Sequence, residues 1–348
     1  VHNPWRAWHC PANDKNRGKT VMLDRRHFLV TAAAVTALPG AALAQGKLPF
    51  RYAYSAISWG ADIETAVTVG EKLGFPGIEP FRQNVVNWLD RPKALKAFMD
   101  AHHVRMATCS NGGGPDFSGN FFDPAQADKT VADHVRFARQ FLLPFGTVNH
   151  FKMNLGPRHP GYDTNDEQIK RCADTLNRIG REILKDGIKL APHPHVNSLV
   201  ETQHEVDLLM QETDPAHVWM TADTAHLVLG GLDPMEVLTT YWPRIAEVHY
   251  KDAPRRLRGN RTVAVPRSGP EAGGHGWFRS MVGPDSGGVD FPAIQKYLIA
   301  KNYSGWVTLD FDASMIPKTG SMETLLAENK KYLIEVLKVD PKANFHAA

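Results

Sequence analysis

Short apolar runs alternate along this chain with longer segments whose apolar residues recur every three or four positions. The short runs predict buried strands at residues 51–57, 76–79, 104–109, 147–154, 188–193, 218–223, 245–250 and 305–310. The longer segments predict helices at residues 61–73, 91–102, 126–142, 165–186, 200–212, 233–241, 291–301 and 321–338. Eight strands, each followed by a helix, predict an α/β protein with a single (β/α)8 barrel domain. A doubly wound sheet is the alternative, but it would not require eight units.

The segment 165–186 has the clearest helical pattern. Its apolar stripe consists of Ile169, Cys172, Ala173, Leu176, Ile179 and Ile183. Thr164 and Glu167 have the spacing of a capping box, which predicts the start of the helix. Gly187 follows at the other end, where a glycine commonly turns the chain out of a helix.

The N-terminal 44 residues predict an export signal rather than part of the fold. Arg25 and Arg26 precede an apolar run, and Ala42-Leu43-Ala44 then forms a small-residue cleavage site. The paired arginines resemble a twin-arginine signal at residues 22–44, with an ordinary secretory signal as the alternative. Residues 1–21 are expected to be a wrongly assigned start or a disordered extension. The barrel domain is then 45–348, and the protein is expected in the periplasm or otherwise exported.

The charge of the chain changes when that signal is removed. The first 44 residues carry six of the 40 Lys and Arg residues and two of the 37 Asp and Glu residues. The remainder has 34 basic and 35 acidic residues, a net charge of −1 in place of +3. A near-neutral chain gives no support for nucleic-acid binding. Only Cys109 and Cys172 remain, on different predicted elements, so no disulfide framework is expected.

The partners expected from these features are few. The twin-arginine machinery would export the chain, and no cysteine follows the apolar run to carry a lipid anchor. No other stretch is long and apolar enough to predict a membrane span. The long connection 253–290 contains six arginines and predicts a lid, a binding loop for an acidic sugar or an oligomer contact.

Four polar residues each end one of the predicted strands. They are His193 in IKLAPHPH, Asp223 in VWMTADTAH, His249 in IAEVHYKD and Asp310 in GWVTLDFD. The carboxyl ends of barrel strands form the face that carries the chemistry of such folds. Two imidazoles and two carboxylates on that face predict one divalent metal ion, with manganese, zinc, iron and cobalt all compatible.

Each of these residues also has a purely structural interpretation. Asp223 can cap a helix, although a buried aspartate at a strand end needs a cation or several donors. His249 alone is as often a core residue as a functional one. His195 shares a strand face with His193, and so predicts either a second ligand or a donor to substrate.

A resemblance to a known family is carried by HPHVNSLVETQHEVDLLMQETDP, by DTAH and by EVHYKD. These motifs resemble the xylose-isomerase-like barrel superfamily, and most of all its inosose-dehydratase-like members. The likeness is densest over residues 187–252, continues through GGVDFPAIQKYLIAKNYSGWVTLDFD and loosely covers residues 50–338. Gly77-Ile78-Glu79 is similar to the Gly-Ile-Glu of the second strand in that superfamily.

The resemblance implies a ligand set in which two positions are altered. The superfamily holds a divalent ion with Glu, Asp, His and Glu from strands five to eight. Asp223 and His249 match this pattern, whereas His193 stands where the first Glu is usual and Asp310 where the last Glu is usual.

The resemblance also implies substrate contacts and a reaction class. His226 and Arg255 fall near positions that contact substrate, and Glu79 and His195 are further candidates. The implied enzyme is a metal-dependent isomerase or epimerase that acts on a keto-sugar or polyol ketone through a metal-stabilised enediolate.

Altered ligands make a one-base reaction a serious alternative. Epimerases of this type use both metal-bound glutamates as bases, a role in which His193 and Asp310 are poor substitutes. Dehydration or β-elimination of a keto-sugar or keto-glycoside needs one base, for which Asp310, Glu79, His195 and Lys152 are candidates. Lys152 is equally compatible with a solvated strand end. Two further alternatives are a non-catalytic exported carbohydrate-binding barrel and a phosphodiester-cleaving barrel, which would need more metal ligands and a basic groove.

Overall fold

Short parallel strands form the interior of the fold. The computed structural model describes residues 48–112, 119–158, 163–269, 271, 275–316 and 320–344. The strands are β1 Arg51–Ser55, β2 Gly77–Glu79, β3 Arg105–Met106, β4 Cys109–Ser110, β5 His150–Met153, β6 Lys189–Pro192, β7 Met220–Asp223, β8 Ile245–Tyr250 and β9 Trp306–Leu309. The expected extension at 1–21 and export signal at 22–44 lie outside the described residues.

The strands close into a barrel. One parallel sheet has the order β3-β2-β1-β9-β8-β7 and a second has the order β4-β5-β6. A parallel bridge between Leu190 and Val218 joins β6 to β7, and another between Phe81 and Ser110 joins the end of β2 to β4. β3 and β4 are therefore two halves of one barrel strand, and the predicted (β/α)8 barrel is confirmed.

Helices surround this barrel at the predicted places. They are α1 Ile63–Leu73, α2 Pro92–Ala101, α3 Pro124–Phe137, α4 Asp166–Leu184, α5 Gln203–Glu212, α6 Thr224–Leu229, α7 Pro234–Thr240, α8 Phe291–Ala300 and α9 Met322–Glu335. A π-helical turn, Ala138–Leu142, continues α3. The short helix α6 was not predicted. Of the described helices, none combines the length and the apolar character needed to cross a bilayer.

The predicted start of α4 is one residue too early. Asn165 is the N-cap, and its side chain accepts a hydrogen bond from the backbone N–H of Gln168 at 2.9 Å. The side chain of Gln168 accepts from the backbone N–H of Asn165 at 3.0 Å, which completes the capping box. Asparagine caps a helix as well as threonine does, so spacing alone could not decide between the two residues.

Close packing of α4 depends on Gly180. A Cβ atom at this position would lie 2.4 Å from the backbone carbonyl oxygen of His217. The contact atom on the other side is backbone, in the turn between α5 and β7, so it cannot move away as the end of a flexible side chain could.

We expect Gly180→Ala to destabilise the protein by about 1–3 kcal/mol because it overpacks this contact. Helix propensity alone predicts the opposite sign, since alanine is favoured over glycine by about 1 kcal/mol. Denaturant unfolding measures the change. The control is Asp174→Ala at an exposed position of the same helix, and a Gly180→Ala protein as stable as this control would contradict the packing argument.

Candidate active site

The four residues predicted as metal ligands converge at the carboxyl ends of the strands. The parallel register places Asp223 beside His249. The Oδ2 atom of Asp223 lies 3.8 Å from Nε2 of His193 and 3.6 Å from Nδ1 of His249. Nδ1 of His249 is also 3.7 Å from Oδ2 of Asp310. All four side chains are buried, so the structure brings the predicted set together.

Each of the four residues in this cluster has a buried side-chain atom without a hydrogen-bond partner. Among the described residues, Nε2 of His193, Oδ2 of Asp223, Nδ1 of His249 and Oδ1 of Asp310 accept and donate no hydrogen bond. Buried polar atoms are costly when unpaired, and natural proteins rarely leave several together. Ligand atoms of His193, Asp223 and His249 all lie within 4.8 Å of one another, which fits one ion held between them.

Asp223 caps a helix, and its position is also compatible with the ligand role that the sequence predicts. Its Oδ1 atom accepts hydrogen bonds from the backbone N–H groups of Ala225 at 2.9 Å and His226 at 3.0 Å, and so caps α6. Its Oδ2 atom faces the histidines. The capping contact orients the carboxylate, which leaves the second oxygen for a ligand.

Glu79 and Lys152 form a buried ion pair on the far side of the His249 ring. Nζ of Lys152 lies 2.5 Å from Oε1 of Glu79, and Oε2 of Glu79 lies 2.8 Å from Nε2 of His249. A carboxylate on one ring nitrogen leaves the other nitrogen of the imidazole for a metal. The contacts of Glu79 thus position His249, and direct roles of Glu79 and Lys152 in chemistry stay predictions.

Glu247 also contacts His249, and it was not predicted as a site residue. Its Oε2 atom lies 3.0 Å from Nε2 of His150 and 3.5 Å from Nε2 of His249. Its Oε1 atom accepts a hydrogen bond from Oγ1 of Thr308 at 2.6 Å. The alternation along β8, which points Glu247 and His249 to the same side, was the available signal.

Lys251 is the second functional residue that sequence reasoning missed. Its Nζ atom lies 2.7 Å from Oδ2 of Asp310 and 3.1 Å from Oδ2 of Asp312, and 4.4 Å from the ring centre of Phe278. The same alternation along β8 could have identified it, since Lys251 is two residues beyond His249.

The buried carboxylates around His249 outnumber the buried lysines. Among the described residues around His249, four carboxylates are buried: Glu79, Asp223, Glu247 and Asp310. Two lysines, Lys152 and Lys251, are buried in the same region. With neutral imidazoles the excess charge is −2, which one divalent cation would cancel. Buried charges that remain unpaired are strongly unfavourable, so this deficit supports a bound divalent ion.

The pKa shifts of His193 and Asp310 agree with this picture, whereas that of His249 favours a proton on its ring in the metal-free protein. Burial, with a contribution from Lys152, lowers the pKa of His193 to about 4, so the imidazole is a neutral potential ligand. Burial opposes ionisation of Asp310, but Lys251 outweighs it and holds the pKa of that carboxyl well below its usual value. Burial also opposes a charge on His249, yet Glu79 raises its pKa well above the usual value. A proton therefore competes with a metal ion for His249.

His195 and His226 stack beside the cluster as opposite tautomers. Their ring centres are 3.7 Å apart. Nδ1 of His195 donates to the carbonyl oxygen of Val196 at 2.6 Å, whereas Nδ1 of His226 accepts from the backbone N–H of Val196 at 3.3 Å. The free nitrogen of His195 is therefore an acceptor, and the free nitrogen of His226 is a donor. Phe278 packs on the His226 ring with ring centres 4.8 Å apart.

The arginines of the long connection have partners within the protein. Arg255, a predicted substrate contact, is exposed, and its Nε atom donates to the carbonyl oxygen of Ser286 at 3.1 Å. The other five pair with carboxylates: Arg256 and Arg279 with Asp285, Arg258 with Asp290, Arg261 with Asp233 and Glu236, and Arg267 with Asp163 and Glu201. The structure therefore places Arg255 among loop contacts rather than among the site residues.

Comparisons with known proteins agree with the barrel fold. A family model described as xylose isomerase-like TIM barrel matches residues 67–335. The inosose dehydratase of Lacticaseibacillus casei is 27% identical over 72% of this chain and 83% of its own length. A sugar phosphate isomerase/epimerase from Parabacteroides distasonis superposes with a TM-score of 0.59 at 18% identity, covering 88% of this chain and 97% of its own. The 3-keto-D-glucoside 4-epimerase of E. coli has a TM-score of 0.59 at 17% identity, covering 82% and 100%. At these identities the two structures support the fold alone.

The two roles of Asp223 can be separated by substitution. We expect Asp223→Asn to keep the helix cap, since the amide oxygen can replace Oδ1, but to lose divalent-metal binding. Asp223→Ala should lose both, with an added cost of about 0.5–2 kcal/mol in the metal-free protein. Metal analysis and denaturant unfolding of both variants measure these effects. Full metal content in Asp223→Asn and in His249→Ala would show that the site is wrong.

Lys251 should stabilise the metal-free protein in a pH-dependent way. We expect Lys251→Met to cost about 3–5 kcal/mol at neutral pH, because it leaves buried carboxylates without their cation. The lowered pKa of Asp310 contributes stability above about pH 4 that is lost as the pH falls through the folded value. The difference between wild type and variant should therefore shrink in acid. Unfolding free energies between pH 3 and pH 8 test this, and a pH-independent difference would contradict it.

Proposed function

The chain belongs to the xylose isomerase-like TIM barrel family, and from that premise we propose that it is a divalent-metal-dependent lyase. It would remove a β-hydroxyl or β-alkoxyl group from an unphosphorylated keto-sugar or keto-glycoside. The observation that carries this proposal is a buried site in which unpartnered atoms of His193, Asp223 and His249 lie close together beside Asp310, and in which four buried carboxylates outnumber two lysines. The match to an inosose dehydratase over most of the chain supports elimination chemistry.

The residues that would hold the ion are His193, Asp223, His249 and Asp310. A divalent ion at this place polarises a carbonyl group and so acidifies the neighbouring C–H bond. Asp223 and His249 are oriented for this role by the α6 cap and by Glu79, respectively.

The proton would pass through His195. Its Nε2 atom carries a lone pair, because Nδ1 donates to Val196. The pKa of His195 is lowered to about 3 by burial, with His193 and Lys251 adding to the effect, so the ring is neutral before reaction. The same shift makes this imidazole a weaker base than a free histidine, so the reaction would depend on strong acidification of the C–H bond by the ion. Nε2 accepts the proton from carbon and returns it to the departing oxygen, so that water or an alcohol leaves. His226 would donate from Nε2 to a substrate oxygen.

The contacts of two other proposed ligands, His193 and Asp310, favour a reaction with a single base. Oδ2 of Asp310 is paired with Lys251, and Nδ1 of His193 is bonded to Oδ1 of Asn154 at 3.1 Å. A two-base epimerisation needs two free bases on opposite sides of the reacting carbon, and the paired His193 and Asp310 are unsuited to that role. Isomerisation or epimerisation through the same acidified C–H bond is the second candidate.

Neutral substrates are favoured because the cations near the site are already paired. Lys152 is neutralised by Glu79, Lys251 by Asp310, and the loop arginines have the partners given above. The internal segments outside the described residues contain one lysine, Lys318, and no arginine. A phosphate group on the substrate would normally call for arginine or lysine donors. An export signal at 22–44, if functional, would also place the enzyme where unphosphorylated sugars are found.

NMR in deuterated water with 3-keto-glycosides, inososes and ketoses tests the reaction. We expect the metal-loaded protein to form an enone and to lose turnover on chelation, with recovery when the ion is restored. His195→Ala should lose turnover by about 100-fold or more while keeping its metal. His204→Ala, an exposed histidine on α5, is the matched control.

The possible outcomes separate the candidates. Deuterium incorporation without net elimination would support isomerisation or epimerisation instead. Tight sugar binding with neither exchange nor product would support a carbohydrate-binding protein, and undiminished turnover after chelation would overturn the metal-dependent proposal.

A further inference from the structure

We propose that Asn154 is a positioning residue that makes His193 a metal ligand, and that the two side chains form a matched pair. This inference rests on the proposed metal site. Nδ1 of His193 lies 3.1 Å from Oδ1 of Asn154. Nε2 of His193, on the other side of the ring, is the buried unpartnered atom that faces Asp223.

The side-chain amide of Asn154 is oriented by a second contact. Its Nδ2 atom donates to Oγ of Ser110 at 3.1 Å, which leaves Oδ1 directed at His193 as an acceptor. An acceptor at Nδ1 keeps the proton of the neutral imidazole on that nitrogen. The lone pair is then on Nε2, the atom that a metal requires.

The backbone of Asn154 is held just as firmly. Its N–H donates to Oδ1 of Asn111 at 2.8 Å, and its carbonyl accepts from Nδ2 of Asn111 at 3.1 Å. Nδ2 of Asn111 also contacts Nε2 of His134 at 3.0 Å, and Nδ1 of His134 donates to the carbonyl oxygen of Thr130 at 2.7 Å. This buried chain, from Thr130 through His134 and Asn111, fixes the acceptor that His193 needs.

A histidine at this position needs such a partner, and a glutamate would not. Either oxygen of a glutamate carries negative charge and can bind a cation without help. A neutral imidazole binds only through the nitrogen that lacks the proton, so its tautomer must be set by a neighbour. We therefore infer that His193 and Asn154 act together, and that the pair favours zinc or cobalt over manganese.

Cobalt and zinc titrations of the purified protein test the inference without any substrate. Asn154→Ala should weaken binding of Co²⁺ by about 10–100-fold and change its visible absorption spectrum. Asn154→Asp keeps an acceptor at this place, so it should bind Co²⁺ at least as well as the wild type. A residue needed only for packing would not give this order, because the buried charge of the aspartate would be the more disruptive change.

His193→Glu supplies the second half of the test. In this background Asn154→Ala should change the metal affinity by less than about threefold, since the tautomer no longer matters. His193→Glu alone should shift the preference toward Mn²⁺. The matched control is Asn177→Ala on α4, because the side chain of Asn177 also makes two hydrogen bonds, to the carbonyl oxygen of Glu212 at 3.1 Å and from the backbone N–H of Asp214 at 2.7 Å.

The results distinguish this inference from the proposed function. If the wild type binds neither Co²⁺ nor Zn²⁺, the proposed metal site fails and the inference fails with it. If the wild type binds and Asn154→Ala binds equally well, or loses as much affinity in the His193→Glu background, the positioning role is overturned while the metal site stands. Thermal unfolding of the metal-free variants shows whether each one folds.

Discussion

Burial of four carboxylates with only two lysines is the constraint on which the centre of this barrel depends. Glu79 and Asp310 each contact one lysine, at 2.5 Å and 2.7 Å, while Asp223 faces only imidazoles and backbone N–H groups. An interior of this kind gains little from hydrophobic burial and relies on paired charges. The remaining deficit can be met by protons on histidines or by a divalent ion. The state of His249 therefore links folding, pH and metal binding in one residue.

Much of the fold and the position of the site could be predicted from the sequence, since both follow from local patterns. Apolar runs that end in a polar residue identify the strands and the face they share. The same alternation could have identified Lys251 and Glu247, two residues either side of His249. The pattern does not show which of the buried charged side chains form ion pairs with one another. Glu79 and Lys152 both point into the barrel, but only the structure shows that they neutralise each other.

The partners of the arginines in the connection 253–290 could not be predicted from the sequence either. Its arginines made a binding loop for an acidic sugar one of three predictions, beside a lid and an oligomer contact, because residue types reveal charge but not the distance to the nearest carboxylate. Asp285, Asp290, Glu236 and Glu201 come from the connection itself or from nearby helices, and they meet these arginines in the folded chain. These ion pairs neutralise the arginines within the protein, which is why the proposed substrate is a neutral sugar.

A histidine at position 193, where the resemblance to the superfamily implies a glutamate, affects more than one position of the site. The imidazole brings no negative charge, so the balance of the interior shifts toward neutrality and the remaining carboxylates matter more. It also needs a hydrogen-bond acceptor, which Asn154 provides, and it gives up the freedom to act as a base while it binds metal. Loss of one base removes the symmetry that epimerisation requires, whereas elimination needs only a single residue that takes and returns a proton. Under the proposed function, the contact with Asn154 that holds His193 in place therefore also favours elimination over epimerisation.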